Sequence, residues 1–93
     1  MADRSSQRHG AAKDQELEML LALLDRLEVE VRIESCQSDG GLVRLAGRLV
    51  LFLNATGERA RWKELCLETL RRFDLSAVHV PPRVREMLEG QGW

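Results

Sequence analysis

From Leu17 the apolar residues fall at positions 17, 20, 21, 24 and 27, steps of three and four that draw one stripe along a helix. The stripe predicts a first helix over residues 14 to 27. Asp14 suits its N-cap, and Glu16 and Glu18 favour the positive end of its dipole. Met19 and Leu23, four apart, widen the stripe and serve either as additional core or as a partner surface. The period then changes to two. Val29, Val31 and Ile33 alternate with Glu30, Arg32 and Glu34, which predicts a half-buried strand with one wet face. Gln37 to Gly41 supplies turn chemistry, with Asp39-Gly40 at its centre. Leu42 to Ala46 follows as a second strand, and Gly47 sits where a tight hairpin needs a positive φ. Leu49 to Leu53 is the most apolar run in the chain. Its apolar residues do not alternate with polar ones. A third strand, Arg48 to Asn54, is therefore expected to be covered on both faces, inside the sheet or beneath a second layer.

The helical period returns after Glu58. Trp62, Cys66, Leu70 and Phe73 form an inner line, flanked by Leu65 and Leu67. Arg61, Glu64, Glu68, Arg71 and Arg72 face outward, and Thr56 is placed to cap the helix. Glu68 with Arg71 and Arg72 gives pairs worth a few tenths of a kcal/mol each. Ala77 to Val80 is short, β-branched and bounded by Pro81. It reads as a fourth, edge strand, parallel to the third through a right-handed crossover. Pro82 opens a last short helix through Glu89, with Val84, Met87 and Leu88 as its apolar face. The order is αβββαβα. The fold class is α+β: a small mixed sheet of about four strands with helices packed on it.

Residues 1 to 13 lack any apolar period and are expected to be a disordered N-terminal tail. Residues 14 to 90 form a single α+β domain, and residues 91 to 93 a C-terminal tail. A folding part of roughly 80 residues buries about 60–65% of its unfolded surface, so one modest core is all it builds. The aromatics are Phe52, Trp62, Phe73 and Trp93, which leaves that core aliphatic.

Fourteen basic and fifteen acidic residues give a net charge of −1, which argues against a dedicated nucleic-acid binder. The excess of Arg over Lys fits a GC-rich genome as readily as phosphate recognition. The N-terminus carries no hydrophobic signal region, and no run of eighteen apolar residues occurs. The expectation is a soluble, cytoplasmic chain with no membrane contact and with Cys36 and Cys66 unbridged.

The candidate chemistry is sparse. Cys36, Cys66 and His79 match no metal-ligand spacing, and no metal is expected. Cys66 lies on the inner helix line as a small hydrophobe, while Cys36 sits in a loop as a free thiol. His9 falls in the tail, and His79 faces solvent, opposite Val78 and Val80. Gly40-Gly41 precedes a strand rather than a helix and is no phosphate loop. No nucleophile has an identifiable base. The sequence thus assigns no catalytic, cofactor-binding or metal residue, no cofactor and no small-molecule substrate. Trp62 belongs to the core. Met19, Leu23 and Trp93 are the interaction candidates, for a protein partner or a homodimer, and the open edge of a fourth strand invites pairing.

Residues 40 to 73 resemble the N-terminal half of the compact zinc-metallopeptidase domain of the ImmA/IrrE type. The resemblance rests on Gly40-Gly41, a hairpin ending in a hydrophobic strand and Asn54, and a helix where that family carries H-E-x-x-H. The helix and strand before residue 40 also suit its layout, so the likeness spans between half and two-thirds of the chain. Laying Leu65 to Arg71 over the family's Leu-Ala-His-Glu-Leu-Gly-His puts Glu68 on the general base. It also puts Leu67 and Arg71 where both zinc-binding histidines stand. A leucine cannot ligate zinc and an arginine repels it, so the resemblance implies a metal-free relative.

Three readings follow. The first is a small cytoplasmic non-catalytic domain acting as a protein-interaction module. The second is a degenerate metallopeptidase-like domain, inactive or completed by a partner. The third is a nucleic-acid-associated accessory protein using its Arg-rich surface.

Overall fold

The computed structural model describes residues 14–35 and 40–90, and its first element is the expected helix, α1 (Gln15–Arg26). The Asp14 side chain accepts a hydrogen bond from the Leu17 N–H at 3.1 Å, which caps the helix. The other end closes in a way the sequence does not announce. Leu24 O accepts from Val29 N–H and Asp25 O accepts from Glu28 N–H, both at 3.0 Å. This is a Schellman closure, with Glu28 at φ +64° in the place glycine usually takes. An L side chain there costs roughly 1–2 kcal/mol, partly offset by the extra freedom a glycine brings to the unfolded chain. Glu28→Gly is therefore expected to raise stability by about 0.5 kcal/mol in urea denaturation. A loss of stability would show that the Glu28 side chain contributes more than its backbone conformation costs.

Three strands follow: β1 (Glu30–Glu34), β2 (Gly40–Leu45) and β3 (Arg48–Asn54). The sheet order is β1-β3-β2, with β3 parallel to β1 and antiparallel to β2. The most apolar strand is thus the central one, as its unbroken apolar run requires. β2 and β3 form a two-residue hairpin closed by the Leu45–Arg48 pair. Ala46 and Gly47 have φ of +51° and +80°, the positive values a type I′ turn needs at both central positions. The turn chemistry before Gly41 makes no hairpin between β1 and β2, because β3 lies between them. Gly40 and Gly41 instead belong to β2.

The two faces of the sheet differ. Leu51 is paired to Val31 on one side and Leu42 on the other, and all three meet the helices, together with Leu49 and Leu53. Val50 and Phe52 point the other way. Val50 is buried between its cross-strand partners Glu30 and Val43. Phe52 is half-buried, with the Arg32 guanidinium 5.8 Å from its ring centroid.

Two further helices complete the fold, α2 (Arg59–Leu70) and α3 (Pro82–Gly90). Thr56 does not cap α2. Glu58 holds the N-cap position without a side-chain bond, and Thr56 gives both its N–H and its hydroxyl to Asn54 Oδ1. The turn after β3 takes the hydroxyl that the helix start was expected to use. Trp62 Nε1 donates to Asn54 O at 2.8 Å, fixing the start of α2 on the end of β3. α2 buries more than one line: Trp62, Leu65, Cys66, Leu67, Thr69 and Leu70 are all buried. It packs against β2 and β3 on one side and against α1 on another, so Leu65 and Leu67 are core rather than flanks. The Thr69 hydroxyl donates to the Leu65 carbonyl at 2.9 Å, which satisfies this buried polar side chain.

Residues 77 to 80 are not the expected fourth strand. Asp74 Oδ1 accepts from Ser76 N–H and Leu75 O from Val78 N–H, both at 3.1 Å, so a turn consumes the segment's start. Only His79 and Val80 remain before Pro81, too few for a ladder. Val80 is buried against the helices and anchors the segment there. The parallel pair in the sheet is β1 with β3 instead. The expectations for residues 1 to 13 and 91 to 93 concern parts of the chain outside the described residues.

Candidate functional site

The place to look for chemistry by the metallopeptidase resemblance is the stretch from Leu65 to Arg71 of α2. Leu67, at one histidine position, is 2% exposed and packed in the core. Arg71, at the other, lies just past the helix and donates from Nη2 to the Leu88 carbonyl of α3 at 2.9 Å. Glu68 is exposed on the outer side of α2, with an Arg61 guanidinium nitrogen 4.0 Å away. Arg61 is itself held by Glu64 at 2.8 Å. Beside them a groove of about 290 Å³ runs between α2 and the start of β2, lined by Gly40, Gly41, Arg61, Glu68, Thr69 and Arg72 among others. Its charged groups are two arginines and one glutamate. Among the described residues, no three His, Cys, Asp or Glu come together in a way that would hold a metal ion.

Cys66 is fully buried, and burial pushes its thiol up to about 12. Its thiolate, the reactive form, is therefore absent near neutral pH. The linkage runs to the alkaline side: the folded protein keeps the proton to a higher pH than the unfolded chain. The stability this contributes is complete below the ordinary value of 9.0 and is lost as pH rises toward about 12. A thiol reagent at pH 8 is expected to leave Cys66 unmodified in the folded protein and to modify it at once in denaturant. Rapid modification of Cys66 under native conditions would contradict its burial. Cys66 is unbridged, whereas Cys36 lies outside the described residues.

An ion cluster fixes the helix layer. Lys63 on α2 reaches Asp14 at 3.1 Å and Glu16 at 3.2 Å, and Arg83 on α3 donates from Nε to Glu16 at 2.6 Å. Burial pushes the Asp14 carboxyl up, but the Leu17 N–H together with Lys63 and Arg59 outweighs it and holds the group below its usual value. Arg83 first, and then Lys63, holds Glu16 low as well. These groups neutralise one another and join three helices. Their geometry is that of a structural clamp.

The expected interaction residues fare differently. Leu23 is 3% exposed and part of the core. Little of its side chain is left for a partner to reach. Met19 is half-buried against the same core, and with Leu23, Ala22, Arg26, His79 and Pro81 it lines a shallow groove. Trp93 lies outside the described residues. Among the described residues, the exposed large apolar side chains are elsewhere: Ile33 on β1 at 48%, and Val43 and Leu45 on β2 at 41% and 44%. All three sit on the outer strands of the sheet. Reading Ile33 as the inward residue of an alternating strand hid it, since the helices cover β1 only at its start. Among the described residues, no helix is long and apolar enough to cross a membrane.

No family model matches the chain, nor does any curated protein or solved structure.

Proposed function

We propose that this chain is a small cytoplasmic, non-catalytic domain that works through contacts with protein. One observation carries the reading. Among the described residues, the large apolar side chains that stay exposed are all on the outer strands of the three-stranded sheet, Val43 and Leu45 on β2 and Ile33 on β1. Outer strands that are both apolar and open along the backbone are the surfaces proteins use to recruit other chains. A photoreactive residue at position 43 or 45, introduced in the cell, is expected to form a discrete protein adduct. The same residue at exposed Glu89 should give none, and Val43→Asp should abolish the adduct while leaving the fold intact. Equal, diffuse labelling from all three positions would sink this reading.

A degenerate metallopeptidase-like domain is the second reading. The groove between β2 and α2, with Glu68 on its wall, favours it. The non-catalytic reading treats Glu68 as a surface residue whose ion pairs are worth at most about 1 kcal/mol. Glu68→Gln is then expected to change stability by under about 0.5 kcal/mol. Stoichiometric zinc after purification without chelator, or a zinc-dependent rise in melting temperature that Glu68→Gln abolishes, would promote the metallopeptidase reading over the first.

A further inference from the structure

We propose that β1 is a self-recognition edge: two copies of this chain pair their β1 strands antiparallel about a two-fold axis at Ile33, joining two three-stranded sheets into one. The proposal rests on the protein-contact reading and adds to it a second copy of this chain, bound at the edge of the sheet opposite β2.

The backbone of β1 is half used. In its parallel ladder with β3, Glu34 O accepts from Ala55 N–H. Alternate residues of a parallel strand bond inward, so Glu30, Arg32 and Glu34 face β3 and the main-chain groups of Val31 and Ile33 face away. Residues 30 to 34 contain no proline, glycine or lysine, and their register with β3 runs without a bulge. Alongside lies an open groove of about 460 Å³, bordered by the apolar Leu21, Val29, Val31 and Ile33 and by four charged residues, Asp25, Glu28, Glu30 and Arg48. Exposure rises along the strand, from buried Val29 through half-buried Val31 to exposed Arg32, Ile33 and Glu34. Among the described residues, β1 is therefore least covered around Ile33.

The charges choose the register. With Ile33 opposite Ile33 of the second copy, each Arg32 stands opposite a Glu34 in a pair without backbone hydrogen bonds, where side chains approach most closely. Two Arg–Glu pairs then flank a central isoleucine contact. Moving the axis by one residue, to Arg32, sets arginine against arginine and Glu30 against Glu34, both repulsive. An axis at Val31 would pair Glu30 with Arg32, but that end of the strand lies under α1, and Val29 N–H is already bonded to Leu24 O. In the single chain Arg32 gives Nε to Glu30 at 2.7 Å, which leaves most of the five guanidinium donors for a second carboxylate. Glu34 is exposed and has no ion-pair partner among the described residues. The other edge has no such code: residues 40 to 45 carry one charge, Arg44, which finds no opposite charge in a second β2.

The test is a charge reversal read by sedimentation equilibrium from micromolar to millimolar protein, with circular dichroism and melting curves confirming that each variant is folded. Wild type is expected to dimerise. Arg32→Glu alone and Glu34→Arg alone should each weaken self-association about tenfold or more. An equimolar mixture of the two single variants should restore a dimer, now mixed, because every reversed charge then meets its opposite. Both changes on one chain should restore the homodimer. A wild type that stays monomeric overturns self-pairing, and the photo-adduct at positions 43 and 45 then decides separately whether the protein-contact reading survives. A dimer indifferent to all these changes overturns the β1 edge. One that loses affinity with Arg32→Glu but not with Glu34→Arg overturns the Ile33 register.

Discussion

Gly40→Ala is expected to destabilise the domain by about 3 kcal/mol or more, the largest effect of any glycine substitution in the sheet. Two independent causes add. The first is steric. A Cβ on residue 40 would lie 2.1 Å from the Phe52 carbonyl oxygen and 2.9 Å from its carbon, and both are backbone atoms of the central strand. Side-chain rotation cannot relieve such a contact, so β2 must move away from β3. The second is conformational. Residue 40 has φ +113°, where an L side chain is strained even in open space. A domain of this size has total stability on the order of 5–10 kcal/mol. A loss of 3 kcal/mol would lower its melting temperature by roughly 12–24 °C. Gly90→Ala is the control, because a Cβ there meets nothing within 4 Å and the position is helical. It should be neutral or slightly stabilising. Thermal melts of the two variants make the comparison, and equal stabilities would show that β2 yields freely at Gly40.

Leu51→Ala is expected to cost about 3 kcal/mol. Leu51 is fully buried at the middle of the central strand. Val31 and Leu42 flank it in the ladder, and the helix layer closes over it. Truncation removes three carbons and leaves a hole whose walls belong to a sheet fixed by hydrogen bonds on both sides, so collapse is limited. Leu45→Ala makes the same chemical change at a side chain that is 44% exposed, and should cost under about 0.5 kcal/mol. Urea denaturation measures both. The denaturant midpoint should fall for Leu51→Ala with little change in slope. Similar midpoints for the two variants would mean that the helix layer does not close over the centre of the sheet.

Much of this architecture is legible in the residues. The stripe from Leu17 to Leu27 gives α1, and the unbroken run from Leu49 to Leu53 identifies the strand with two neighbours. The positive φ at Gly47 was readable from the hairpin pattern. What misled was local chemistry without its neighbours. Gly40 has the composition of a turn residue, yet it lies in β2 and is needed there for its close approach to Phe52, while the rest of the expected turn lies outside the described residues. Ala77 to Val80 has the composition of a strand, but a turn and Pro81 leave it no ladder. Thr56 is a good cap that Asn54 engages first. At the candidate surfaces, a helical wheel leaves Leu23 open between core and partner surface because it shows only one contact direction; α1 meets β1, α2 and α3, and Leu23 is core. Ile33 alternates as an inward residue should, but helix coverage ends before it. How far a helix extends over a strand is a tertiary fact, and no single segment carries it.

The insertion of β3 between β1 and β2 sets an order of events during folding. The hairpin of β2 and β3 closes through two residues, a contact that forms on a timescale of about 1–10 μs. β1 has no local partner. Its first pairing, Glu30 with Val50, spans twenty positions and requires β3 to be in place already. Long-range pairing of this kind comes later, because loop closure is unfavourable before any contact offsets it. β1 is thus expected to be the last strand to pair and the first to open. Amide protons at Arg32 and Glu34 should exchange through partial openings that spare the β2–β3 hairpin.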